Sequence, residues 1–273
     1  AYKVILVLIG LWASKRTHTT EDFFIGSKGL GPWVAAVSSS ASASSAWSLL
    51  GVSGAAYVMG MSALWLFPAV VGGYIFNWLW LAPRLRALAN ERGAITLTGV
   101  LAGQDQWTRP IAWLATVAIV FSFSFYIAAQ FQAAGGTFAS SFGMDAGQAI
   151  VLGTLIILVY TLLGGFWAVS VTDTLQGLLM AVTAIVLPVA ALLAVGGPSA
   201  LIDGLGSEFN QQQWSLTGQF SGWMAVAFVL GMLGIGLGNP GQPHVLNRFM
   251  AIKDDRSMQM GSVIGIAWPT IVY

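Results

Sequence analysis

The residues of this sequence best placed to do chemistry are hydroxyls and backbone carbonyls. Residues 38–48 read SSSASASSAWS, seven serines in eleven, directly after the apolar GPWVAAV. A second unusual stretch, GMLGIGLGNPGQPHVLNRFM, covers residues 231–250 and packs four glycines and two prolines between Gly234 and Pro243. Small side chains let a helix open, and Pro240 and Pro243 bring no amide donor, so each stretch can leave carbonyl oxygens free. Carbonyls with a hydroxyl or two suit a hard monovalent cation, because oxygen donors replace its hydration shell. Asp173, between Thr172 and Thr174, is the one acid at the edge of an apolar run. There is no Cys and there are two histidines, His18 and His244. That excludes disulfide frameworks and Cys/His metal sites.

The elements that must position these groups follow from composition. Of the 273 residues, 56% are hydrophobic and 8% charged, and the mean hydropathy is +0.77. Soluble domains carry about 25% charged residues, so most of this surface faces lipid. The net charge of +1 gives no argument for a nucleic-acid partner. Eight apolar runs follow one another, approximately Tyr2–Ser14, Pro32–Met59, Ser62–Leu85, Pro110–Ala139, Ala146–Trp167, Thr174–Val195, Phe220–Gly238 and Met258–Tyr273. The middle six are long enough to cross the hydrocarbon, which takes about 20 helical residues. None alternates with period two, so helices rather than barrel strands are expected. The first residue is Ala and the last run ends in WPTIVY, which reads as an internal piece of a longer membrane protein.

Basic residues set the orientation. Numbering the connections one to seven, Lys15, Arg16 and Lys28 fall in loop one. Arg84, Arg86, Arg92 and Arg109 fall in or beside loop three, and Arg248, Lys253 and Arg256 in loop seven. Only Lys3 lies elsewhere, so odd loops are expected on the cytoplasmic side.

A hydroxyl in lipid must find protein or water. For the serines, close helix packing is one reading and an unwound point in the second run is the other. For residues 234–243, a proline kink is one reading and a second helix break the other. The G-x-G-x-x-G at Gly236, Gly238 and Gly241 has no preceding strand and contains Pro240, so a nucleotide-binding loop is not expected. The two candidate breaks fall in the second and seventh runs. A unit of five helices followed by an inverted copy is a transporter plan.

EDFFIGSKGLGPW, ASASSAWSLLGVSGAAYVMG, GGFWAVSVTDTLQG and GLGNPGQPHVLNRFMA resemble the sodium:solute symporter family, in its proline permease branch. The resemblance implies an all-α, polytopic transmembrane bundle of leucine-transporter type. Residues 1–16 would be a preceding helix, 32–196 the first inverted repeat and 220–273 the start of the second, all within one transporter domain. It implies sodium as coupling ion, no enzymatic cofactor, a small organic solute, and a multi-pass place in the inner or plasma membrane. Backbone oxygens of Ala41 and Ser44 match the family's sodium positions, with the partner helix beyond Tyr273. Ser45, Ala46, Ile235, Asn239 and Pro243 match solute-proximal positions, and Asp173 a place on the cation's exit route. The family's Asp in the first break is Ala43 here. Its Trp and Tyr on the seventh helix are Ile235 and Asn239, which points away from proline and toward another small polar solute, an amino acid or a small carboxylate.

Asp173 reads equally as a helix N-cap for the sixth run. His244 reads as a backbone-bonding residue near the second break, and Trp33, Trp65 and Trp80 as interfacial anchors or packing residues. Ser38, a turn before the break, is expected to matter little. The function expected is sodium-coupled symport. A transporter-like sensory module fused to a kinase is an alternative, and an intramembrane enzyme is disfavoured because no nucleophile–base pair is visible. The orientation predicts that a cysteine placed at Ser207 reacts with an impermeant thiol reagent from outside and one at Asp254 does not. Reversed labelling would overturn it.

Overall fold

The computed structural model describes residues 2–273. Helix α1 (Tyr2–Ser14) is apolar apart from residues near its two ends, Lys3 among them. Helix α2 (Thr20–Ile25) begins with a capping box: Asp22 N–H donates to Thr19 Oγ1 at 3.0 Å and Thr19 N–H to Asp22 Oδ2 at 2.9 Å. These reciprocal bonds satisfy amides that a helix start leaves free. Helix α3 (Pro32–Ala43) starts on a proline, whose missing donor costs nothing there. A π turn (Trp47–Gly51) leads into α4 (Val52–Met59).

Gly60, at φ 60° and ψ −136°, reverses the chain. A 3-10 turn (Gly60–Trp65) then opens α5 (Leu66–Phe76), which runs through a π turn (Asn77–Leu81) into α6 (Ala82–Glu91). The short α7 (Leu97–Ala102) is capped by Thr96, and the long α8 spans Thr108–Phe142. Helix α9 runs from Ala146 to Ala194, capped by Asp145. Helix α10 (Pro198–Glu208) leads through a polar loop to α11 (Gly222–Gly234). A 3-10 segment (Ile235–Gly241) precedes α12 (Pro243–Met250), and α13 spans Asp255–Val272.

Helix α3 lies at the centre. Its Ser38, Ser39 and Ser40 are fully buried beside Ala35, Ala36 and Val37. It packs on α9 where Gly177 leaves room for Val37 and Ala41, and on α13. Trp78, from the π turn, is almost fully buried against Phe249 and lies over Gly261 and Gly265 of α13. Helices α8 and α9 instead expose long apolar faces such as Val117, Phe121, Leu178 and Val182, as surfaces for lipid do.

The segment before α3 and the segment after α12 join through backbone. Leu30 N–H donates to Ala251 O and Lys253 N–H to Leu30 O, both at 3.1 Å. Arg86 of α6 completes the clasp through Ile252 O at 2.8 Å, Lys253 O at 3.0 Å and the exposed Asp255 carboxylate.

Three expectations change. Among the described residues, four helical stretches are long and apolar enough to cross a membrane: Val52–Glu91, which contains the reversal at Gly60, Thr108–Phe142, Ala146–Ala194, which contains the non-helical Gly165, and Gly222–Gly241. The second apolar run is not one of them as a unit, because it breaks after Ala43. The fifth and sixth runs are two helices that meet at Gly165 (φ 53°, ψ −143°), where a Cβ would lie 2.8 Å from the Phe23 side chain, rather than across a loop at 168–173. The polar stretch expected to be loop five is helical, and its hydroxyls bond back to carbonyls of their own helix. Thr172 Oγ1 donates to Ala168 O at 2.9 Å and Thr174 Oγ1 to Ser170 O at 2.7 Å. Asp173 is therefore mid-helix and caps nothing. Arg248, expected in loop seven, sits inside α12 and is buried; Lys253 and Arg256 still mark that loop as basic.

On the opposite side, the loop of residues 209–221 is bolted over Gly60. Met61 N–H donates to Gln213 O at 2.8 Å and Trp65 Nε1–H to Leu216 O at 2.9 Å. A Cβ on Gly60 would lie 2.2 Å from Gln213 O, in a backbone region that only glycine tolerates. Gly60→Ala is expected to destabilise the full-length protein by about 2 kcal/mol in a thermal-unfolding assay. Gly54→Ala, within α4 and facing open space, should be neutral or stabilising by up to about 1 kcal/mol. Equal behaviour of the two would contradict the clamped reversal.

Candidate functional site

The site begins with a gap in one helix. After Ala43, Ser44 turns extended, with φ −78° and ψ 126°. In an uninterrupted helix the amides of Ser45, Ala46 and Trp47 would bond the carbonyls of Ala41, Ser42 and Ala43. Here they go to side-chain oxygens: Ser45 N–H to Ser48 Oγ at 3.3 Å, Ala46 N–H to Gln130 Oε1 at 2.8 Å and Trp47 N–H to Ser45 Oγ at 3.2 Å. Three carbonyls thereby lose their helical donors while no donor is stranded. The Ser42 carbonyl is met by His244 Nε2 at 3.0 Å. Ser44 stays attached to the inner half, its N–H and Oγ–H both donating to Ser40 O at 3.0 Å.

The second gap lies alongside. Helix α11 tightens into the 3-10 segment at Ile235 and stops at Gln242, whose φ −101° and ψ 96° are extended. Backbone packs on backbone here. A Cβ on Gly236 would lie 2.0 Å from Ala69 O, and one on Gly73 would lie 2.3 Å from Asn239 Nδ2. Helix α5 thus seats the Asn239 amide only because position 73 is glycine.

Between the gaps lies a cavity of ≈170 Å³, bordered by Ala43, Ser45, Ser48, Ile235, Asn239 and Gln242 together with Tyr74 and Tyr273. No charged residue lines it. Tyr273 OH and Ser48 Oγ share a hydrogen bond, and Tyr74 OH donates to Ser40 O at 3.4 Å. A smaller void of ≈10 Å³ lies beside Ser39, Ala43, Asn77 and Asn239.

Of the residues expected at the solute position, Ser45, Ile235 and Asn239 border the larger cavity. Ala46 lies beside it with its amide held by Gln130, and Pro243 is the first residue of α12. Ala41 and Ser44 flank the point where the carbonyls are released. Among the described residues, no three His, Asp or Glu side chains gather as a metal cluster.

Beside the last turns of α3, the buried charges pair. Asp173 accepts from Ser42 Oγ at 2.5 Å and from Arg248 Nη2. Arg248 also donates through Nε to Ser38 Oγ at 2.6 Å and through Nη1 to His244 O. Side-chain exposure is 5% for Arg248 and 16% for Asp173. Each charge satisfies the other, because a lone ion at this depth would cost several kcal/mol. Ser38 is therefore part of the network rather than a bystander. His244 does bond backbone near the break, as its position suggests.

Gln130 and Tyr273 had no role in the sequence reading, and Arg248 counted there only as loop charge. Arg248 had a signal: it lies four residues after His244, on the same helical face of a stretch otherwise rich in apolar residues. Gln130 had none, since its partner is 84 residues away.

The chain matches the sodium:solute symporter family over residues 23–273. It is 36% identical over 272 residues to the osmoregulated proline transporter OpuE of Bacillus subtilis, covering 99% of this chain and 54% of that protein. It is 34% identical over 265 residues to a sodium/proline symporter of Salmonella typhimurium, covering 96% and 52%. The chain thus spans about half the length of the curated relatives it matches. A solved substrate-bound, outward-open Na+-coupled sialic acid symporter superposes with a TM-score of 0.83 at 20% identity, covering 99% of this chain and 57% of that one. The fold is the all-helical, leucine-transporter type, and the chain belongs to the sodium:solute symporter family.

Proposed function

We propose that the full-length protein is a sodium-coupled symporter that imports a small polar solute across the plasma membrane by alternating access. The observation that carries this reading is the meeting of two interrupted helices at one uncharged, oxygen-rich cavity. Carbonyls released at Ala41 and Ala43, with Ser42 O bonded to His244, offer a sodium ion the oxygens it loses with its water. Ala41 and Ser44 supply this chain's share of that site. Sodium-coupled transport of proline by relatives supports the ion and the solute class.

The solute would sit beside Ser45 and Ala46 on the first gap and Ile235, Asn239 and Pro243 on the second. The cavity's size favours a small solute, and its hydroxyls and the amides of Asn239 and Gln242 favour one rich in hydrogen-bonding groups. Ile235 and Asn239 replace the aromatics of the proline branch, so an amino acid other than proline or a small carboxylate fits best. Asp173, paired with Arg248 one turn inward, lies where a released cation would pass. Coupling follows if sodium and solute both prefer the same conformation, since only differential affinity shifts an equilibrium.

In proteoliposomes of the full-length protein, uptake should follow a sodium gradient and be weakly supported by potassium. Asn239→Ala should raise the half-saturating solute concentration about tenfold, the equivalent of about 1.4 kcal/mol, with little change in sodium dependence. Ser44→Leu should do the reverse, by blocking the unwound turn. Two substitutions that move both quantities together would contradict the division between ion and solute positions, and proline outcompeting all other solutes would contradict the selectivity argued from Ile235 and Asn239.

A further inference from the structure

We propose that Gln130 is the positioning residue that holds the first broken helix open, tying the released carbonyls to α8. This rests on the sodium-coupled reading above. Three amides abandon their helical acceptors at the gap, and two of them turn to serines within three residues, Ser48 and Ser45, at 3.3 and 3.2 Å. Those serines belong to the same segment and travel with it. Ala46 N–H alone is taken by another helix, and its 2.8 Å bond to Gln130 Oε1 is the shortest of the three. Because an amide N–H can only donate, the carboxamide must present its oxygen to Ala46.

The bond keeps Ala46 N–H from Ser42 O, its partner in a closed helix. Ser42 O is instead engaged by His244 Nε2 at 3.0 Å. The same face of α8 reaches that histidine. Phe123 and Tyr126, seven and four residues before Gln130, place their rings 5.2 and 5.9 Å from the His244 ring. Helix α8 thus touches both gaps, the first through Gln130 and the second through His244 of α12. Without the Gln130 oxygen, Ala46 N–H is either stranded in a poorly hydrated site or drawn back to Ser42 O. The second outcome rewinds the turn and withdraws carbonyls from the ion. A shift of α8 relative to α3 and α4 would make or break this bond, so α8 sets sodium affinity without contributing a ligand.

The test is direct binding of radioactive sodium to purified full-length protein without solute, with hydrogen exchange over residues 41–47. Gln130→Met, of similar shape but without the oxygen, should weaken sodium binding about three- to tenfold and slow exchange as the turn rewinds. Gln130→Glu, which keeps an acceptor at the same reach, should stay within about twofold of wild type. Solute affinity at saturating sodium should stay within about twofold in both. If the Met variant does not fold, Gln130→Asn, too short to reach Ala46, should reproduce the loss. Unchanged sodium binding in the Met variant, equal losses in Met and Glu, or an effect on solute alone would overturn the proposal. Wild-type protein that binds no sodium would overturn the coupling reading and this proposal together.

Discussion

A backbone that crosses lipid must satisfy its own hydrogen bonds, and this protein departs from that rule at one central point. At Ser45–Trp47 three amides are met by the side-chain oxygens of Ser48, Gln130 and Ser45. The exchange is asymmetric: every donor is kept, and the carbonyls are left over. That is how a hydrophobic helix can acquire oxygen ligands with no acidic residue in it. No acid stands among residues 38–48, so charge within the helix cannot do this work. The serines are there because each is small enough to allow the turn and polar enough to repair it.

The surrounding packing protects this departure. Gly73 and Gly236 bring α5 and the second gap to backbone contact, which sets the cavity's far wall. Arg248 binds Ser38, Asp173 and the carbonyl of His244, joining α3, α9 and α12 at one charge-neutral node. Buried ion pairs contribute little net stability, but removing one partner leaves a costly charge. The node is therefore better understood as fixing register among three helices than as stabilising the fold. The clasp of Leu30, Arg86 and Ile252 does the same at the ends of α3, α6 and α12 with bonds to backbone.

Much of this was legible in the sequence, for physical reasons. Lipid imposes long apolar runs, and both gaps announce themselves by residues that a plain spanning helix does not need: hydroxyls in one, glycine and proline in the other. What failed was local reading of isolated polar residues. Asp173 with its flanking threonines looks like a helix start, but those hydroxyls bond their own helix and the turn occurs eight residues earlier at Gly165. Arg248 looked like loop charge because a lone arginine usually is; its acid partner lies 75 residues away. Ser38 looked dispensable for the same reason. Gln130 carries no local pattern at all, since its role exists only once α8 lies beside the gap.

The central claim is that sodium occupies the oxygens exposed where the first helix opens, and that both gaps respond to it together. Hydrogen exchange of the full-length protein in sodium against equal potassium tests this most directly. Sodium should protect residues 41–47 and 235–243 in the same concentration range, with potassium protecting neither. Protection that is absent, that potassium reproduces, or that falls only outside these two segments would contradict the account.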